Sequence, residues 1–247
     1  MARHPREYSG SGFYHIMFRG VNRQPIFAMP KDYHYMLSTI KQVKEEAKFK
    51  LSAYCLMTNH VHLLLKEEQL GDISGIMQKI LTKYSMYFNR KYDRYGALIG
   101  SRYKSKVVEQ DAYFIPLTIY IHQNAVRAGI VDRAMDYPYS SYHEYAAETF
   151  KLIDPEMIKA LIDTIHWRAL HERLVKSEFS FAERHWTDIE VCAKVMALAQ
   201  VGSAGDLASI DRPQRDAVLA ALKAEGVPIR QIGKVTGLSR GVVAKSR

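Results

Sequence analysis

Two kinds of apolar periodicity alternate through the first 110 residues, and their order restricts the chain to few folds. "FYHIMFRG" (13 to 20) is aromatic and apolar and stops at Gly20, as a strand does. In residues 31 to 50, Tyr35, Met36, Ile40, Val43 and Ala47 recur at helical spacings. "LSAYCLMTN" and "HVHLLLK" then read as two strands meeting near Thr58 and Asn59, or as one long strand. Residues 73 to 92 place Ile73, Ile76, Met77, Ile80, Leu81 and Tyr84 on one helical stripe, and "SRYKSKVVEQ" (101 to 110) reads as a closing strand. Strand, helix, strand, strand, helix, strand is the order of the ferredoxin-like split βαβ arrangement. The expected fold class is therefore α+β, an antiparallel sheet backed by helices.

Beyond this frame Asp111 is placed to cap a helix over "AYFIPLTIYIHQNAVRAG", with Pro116 in its first turn and Gly129 as its stop. Helical patterns follow at 154 to 165 and 186 to 200, with Asp154 and Thr187 or Asp188 as N-caps, and "GSAGD" (202 to 206) reads as a linker. The last stretch gives an amphipathic helix, a break at Gly226, a short helix, the turn "TGLS" and a final helix. This is an all-α helix-turn-helix pattern with Arg240, Lys245 and Arg247 on the recognition helix. All sixteen tyrosines lie between Tyr8 and Tyr145, which marks a boundary near residue 150. The expected division is a first domain over 1–150, a helical connector over 151–205 and a helix-turn-helix domain over 206–247.

A formal charge of +9 favours polyanionic partners. Cys55 and Cys192 are too few and too far apart for a disulfide framework, which fits a reducing compartment. With no signal-peptide pattern and no apolar run of membrane length, the expectation is a cytoplasmic protein with no membrane contact.

The chemistry begins at "LMTNHVHLLL". In a strand, side chains two apart share a face, so His60 and His62 point one way and Val61 and Leu63 the other. With Cα atoms ~6.6 Å apart, the two rings can reach a metal ion, a phosphate, or merely each other and solvent. A metal site needs a third ligand. On the helix near residue 120, Tyr120 and Asn124 stand four apart on one face, whereas His122 points away. An amide oxygen from Asn124 suits Mg2+ or Mn2+; three nitrogen or sulfur ligands would favour zinc. Arg19 and Arg23 bracket the turn "GVN", and Arg102, Lys104 and Lys106 alternate with Tyr103 and Ser105 to charge one strand face, either for DNA or as a solvated edge.

"HIMFRGVNRQPIF", "AYCLMTNHVHLLLK", "GSRYKS", "YIHQNAVRAGIV" and "YPYSSYHEY", in that order, make residues 8 to 145 resemble the single-tyrosine HUH transposases, and within them the REP-associated tyrosine transposases of bacteria. The resemblance implies that His60 and His62 hold a divalent ion, Mg2+ or Mn2+, that Tyr120 is the nucleophile and that Asn124 is the third ligand. Ala125 stands where the family has proline, which would let the helix continue and makes Gln123 the reserve ligand. The implied activity is nicking and strand transfer on single-stranded DNA hairpins, REP-like palindromes, through a 5′-phosphotyrosine that frees a 3′ hydroxyl. Nucleic-acid contacts are assigned to Arg19, Asn22, Arg23, Arg102, Lys104, Lys106 and Arg127, with Arg230, Arg240 and Lys245 directed at duplex DNA. A monomer is expected over a dimer. Two alternatives are a catalytically silent DNA-binding regulator descended from such an enzyme and a zinc hydrolase; the lack of a third histidine or cysteine ligand argues against the second.

Overall fold

The computed structural model describes residues 7–100, 102–161, 164–175, 179, 181 and 186–246. Ser101 and Arg247, included in the expected strand and recognition helix, lie outside them. Four strands, β1 (Phe13–Arg19), β2 (Lys50–Met57), β3 (His60–Lys66) and β4 (Lys104–Val107), form one sheet in the order β2-β3-β1-β4. All three pairings are antiparallel. Helices α1 (Pro30–Ala47) and α2 (Ile73–Lys91) connect β1 to β2 and β3 to β4, giving the split βαβ order. Asp32 joins these helices: its carboxylate accepts from the backbone N–H groups of Ala28 and Met29 at the start of α1 and from Tyr87, Lys91 and Tyr92 near the end of α2.

Thr58 and Asn59 form a two-residue turn, so the apolar run of residues 51 to 66 is a hairpin, not one strand. The turn is fastened from outside. Thr58 O accepts from the backbone of Ile26 and Phe27, and Asn59 O accepts from Gly20 N. The edge strand β4 is shorter than the expected 101 to 110, because pairing with β1 spans only Lys104 to Val107.

Register decides which side chains share a face. Met17 lies opposite His62 and Lys104, Arg19 opposite His60, and His15 opposite Leu64 and Lys106. One face thus carries His15, Arg19, His60, His62, Lys104 and Lys106, while Tyr14, Ile16, Phe18, Val61 and Leu63 occupy the other. Except at their ends, β1 and β3 are buried along their length, so both faces are covered; this explains near-continuous apolar runs where a half-exposed sheet would alternate.

The single helix expected from Asp111 to Gly129 is two: α3 (Phe114–His122) and the one-turn α4 (Asn124–Arg127), parted at Gln123. The break needs no proline. The Asn124 side-chain amide donates to the carbonyls of Tyr120 and Ile121, competing with the backbone for helical acceptors. Gly129, at φ 66°, stops the turn as expected.

Short helices α5 (Tyr142–Ala146), α6 (Glu156–Leu161) and α7 (Thr164–Leu170) complete a first unit, Met1–Ser180. The second unit, Phe181–Arg247, contains α8 (Asp188–Ala199), α9 (Arg212–Ala224), α10 (Ile229–Thr236) and α11 (Arg240–Lys245) around Val191, Val195, Leu219, Leu222, Ile232 and Val243. The partition therefore falls at Ser180, where the sequence suggested 150 and 205. Residues 202 to 206 are not a linker: Ser203 and Asp206 cap a short helical turn, Ala204–Ala208, that buries Ala204 and Leu207. Gly237 (φ 72°) ends α10 and the Ser239 side chain caps α11, which gives the helix-turn-helix connection. Among the described residues no helix is long and apolar enough to cross a membrane.

Candidate active site between the sheet and the tyrosine helix

β3 sets His60 and His62 side by side, ring centroids 5.2 Å apart and nearly perpendicular. His60 Nδ1 is 2.7 Å from Asn59 Oδ1. An amide oxygen only accepts, so His60 carries its proton on Nδ1 and would bind a cation through Nε2. His62 Nδ1 lies 2.9 Å from Nε2 of His15, across the β1–β3 pairing. Each ring is thus oriented by a bond through Nδ1, the arrangement that holds ligating histidines in place.

All three imidazoles are kept neutral. Burial pushes His15 down to about 3, helped by Lys106, and His60 down to about 4, helped by Arg19. His62 is held well below its ordinary value by burial and by the neighbouring His15, His60 and Arg19. A neutral imidazole is the form that ligates. Among the described residues no three His, Cys, Asp or Glu side chains gather as a metal cluster. A cation here would take two imidazoles, with an amide, water or substrate oxygen completing its shell.

Tyr120 approaches from α3. Its ring centroid is 6.0 Å from those of both His15 and His62, edge-on to each, and Phe179 and Arg127 pack on it at 5.8 and 5.2 Å. Asn124 is buried one turn on, its amide nitrogen turned to the α3 carbonyls, so its oxygen is the end directed elsewhere. Gln123 is committed: its amide nitrogen donates to the carbonyls of His171 and Arg173, and its oxygen accepts from Val175 N. This rules out the reserve-ligand role. His122 is bonded to Ser141 and His171 instead of facing Tyr120.

Besides Arg127 on the Tyr120 ring, the cationic residues fall into three places. Arg19 ends β1 beside His60; after it, Asn22 and Arg23 are exposed with left-handed φ of 49° and 61°. Asparagine tolerates that region and arginine does so at a cost, which the loop's anchoring supports. A side chain at Gly20 would collide with Gln24 O, Val21 N donates to Leu98 O, and Arg23 O accepts from the Asn59 amide. Arg102 is exposed just before β4, where Lys104 and Lys106 sit on the histidine face. Lys106 and His15 border a cavity of about 370 Å³ with Tyr113, Leu117 and Phe179. Arg230, Arg240 and Lys245 are exposed in the second unit, the first two lining a cavity of about 710 Å³ between α10 and α11.

Sequence reasoning missed His15, Asn59 and Phe179. For His15 a signal existed: it is the one imidazole inside the apolar run of β1.

Residues 10–124 match the family model for IS200-like transposases. A Haemophilus influenzae protein named as a REP-associated tyrosine transposase is 26% identical over 154 residues, covering 58% of this chain and 86% of that protein. A solved structure of a REP-associated tyrosine transposase bound to a REP hairpin superposes with a TM-score of 0.52 at 21% identity, covering 62% of this chain and 90% of that one.

Proposed function

From an N-terminal unit that belongs to the IS200-like transposase family, we propose that the chain is a divalent-metal-dependent single-stranded DNA nickase and strand transferase that acts as a monomer on hairpin repeat DNA. One observation carries this reading: the Tyr120 ring stands edge-on to His62 on the sheet face that also bears His60. Tyr120 Oη attacks a backbone phosphorus. A bond forms from Oη to phosphorus, the P–O3′ bond breaks, and the phenolic proton passes through solvent to the departing 3′ oxygen. The DNA is left joined by its 5′ phosphate to Tyr120, which preserves the bond for rejoining.

His60 and His62, neutral and oriented through Nδ1, would hold Mg2+ or Mn2+ with the Asn124 oxygen. When bound, the ion supplies charge to the scissile phosphate. His15 fixes the His62 ring, and Phe179 packs against the Tyr120 ring. Arg19, Asn22 and Arg23 at one end of the site, with Arg102 just before β4 and Lys104 and Lys106 along it, take the phosphates of the strand. In the second unit Arg230, Arg240 and Lys245 face a duplex flank.

The test is a hairpin-bearing single-stranded oligonucleotide incubated with Mn2+. The wild type nicks it and migrates as a covalent adduct on denaturing gels, while Tyr120→Phe forms none; an adduct of equal yield with Tyr120→Phe would refute the assignment. Titrated with a duplex flank, Arg240→Ala with Lys245→Ala loses affinity and keeps its adduct yield. If duplex affinity were unchanged, the second unit's role would be wrong.

A further inference from the structure

Arg127, at the end of α4, holds a cation in an unusual place. Its guanidinium carbon lies 5.2 Å from the centre of the Tyr120 ring, and its Nε and Nη2 are buried with no hydrogen-bond partner among the described residues. Elsewhere in this unit Lys44 pairs with Asp154 at 2.7 Å and Lys91 with Asp32, and the half-buried Arg94 donates to the Gln24 amide oxygen. Withdrawing a guanidinium from water without an anion is costly, and one removed partner is enough to make a buried charge strongly destabilising. The placement is also firm. Arg127 N donates to Gln123 O, Ala128 N to Asn124 O and Ile130 N to Ala125 O, closing a compact turn whose Ala125 is fully buried.

We propose that the missing partner is the phosphate of the covalent intermediate, and that Nε and Nη2 of Arg127 receive a non-bridging oxygen of the 5′ phosphate joined to Tyr120. The inference rests on the tyrosine-transfer reading and deepens it. A guanidinium presents adjacent N–H groups in the fixed fork that phosphate oxygens fit. The ring beneath it is the one that carries the phosphate, so the anion is delivered to the cation by the chemistry itself. Arg127 would therefore act after Oη has attacked, stabilising the linked state, while the exposed arginines and lysines govern capture of the intact strand.

The experiment compares wild type, Arg127→Met and Arg127→Lys. Three quantities are read: covalent adduct per folded protein at equilibrium with the hairpin oligonucleotide, affinity for the intact oligonucleotide in a Tyr120→Phe background, and Tm without DNA. Arg127→Met is expected to lower adduct yield about tenfold or more, the worth of a charge-assisted bond, with intact-strand affinity within about twofold and no fall in Tm. Removing an unpaired buried charge should not destabilise the fold. Arg127→Lys should fall between the two. An adduct yield per folded molecule unchanged in Arg127→Met overturns the proposal, as does a lowered Tm with unchanged yield, the signature of a packing role. Should both variants misfold, the Arg127 Nε–H resonance of the wild type decides, since it must move on adduct formation. A wild type that forms no adduct sinks the tyrosine reading itself; an adduct insensitive to Arg127 sinks only this inference.

Discussion

Helix α3 has a histidine cluster on each side, and the two clusters differ in how completely the protein satisfies them. Around His122 the bonding is closed. His171 Nδ1 donates to Trp167 O, so its Nε2 accepts from His122 Nδ1, and His122 Nε2 accepts from the Ser141 hydroxyl. Both nitrogens of both rings are used within a buried core that includes Trp167 and Tyr142. Around Tyr120 the bonds to His60 and His62 run through Nδ1, from Asn59 and His15. Each cluster pairs a buried ring, His62 or His122, with a half-buried one, His60 or His171, and all four of these rings have lowered pKa values. Burial and perturbed titration therefore do not separate a ligating histidine from a structural one; the pattern of donors and acceptors does.

The largest effect should come from breaking one cluster at a time. His62→Ala should reduce nicking at least about a hundredfold, since a lost catalytic cation forfeits several kcal/mol. His171→Ala should leave nicking per folded molecule nearly unchanged but destabilise the first unit by about 1–3 kcal/mol, because His122 loses its buried acceptor. Initial nicking rates beside thermal melts check this, and equal losses of activity in the two variants would erase the distinction. A smaller effect is expected from His15→Phe, which keeps an aromatic ring beside His62 but removes the bond that orients it. The Mn2+ concentration for half-maximal nicking should rise by about 10–100-fold, with the maximal rate recovered at saturation; an unshifted Mn2+ dependence would make His15 mere packing.

The contrast also shows what the sequence could reveal. The ferredoxin-like order was legible because each strand and helix writes its own periodicity, and the shared face of His60 and His62 follows from strand alternation alone. His15 was not, because its place beside His62 depends on the β1–β3 register, which pairs residues 47 apart. Gln123 looked like a ligand only while its partners were unknown; they lie 48 to 52 residues onward, at His171, Arg173 and Val175. The break between α3 and α4 was hidden for a local reason. Asparagine's capture of carbonyls three and four residues back is a competition of hydrogen bonds, and periodicity does not register it. Likewise "GSAGD" has a linker's composition, yet Ser203 and Asp206 use it to cap a turn.

Acid strains both clusters alike, and a bound cation should separate them by the smallest effect of the series. Free histidines take up protons near pH 6.5, whereas burial keeps His60 and His171 neutral down to about 4 and His15 down to about 3. Between these limits the unfolded chain binds more protons than the folded one, so stability is full above pH 6.5 and is lost as pH falls. At pH 5 the loss is about 2 kcal/mol for each such histidine. Mn2+ binds only neutral rings and only where a nitrogen is offered to it, so it should restore part of the loss through His60 and His62 and none through His122 and His171. At a concentration ten times its dissociation constant the gain is about 1.4 kcal/mol. Urea unfolding at pH 5.5, with and without Mn2+, measures it. Trp167 belongs to the first unit's core and Trp186 to the second's, so Trp186→Phe leaves a fluorophore that reports on the first alone. The Mn2+ gain should survive His171→Ala and vanish in His62→Ala. Were it to vanish in His171→Ala and survive in His62→Ala, the ion would reside on the wrong side of α3 and the two clusters would exchange their roles.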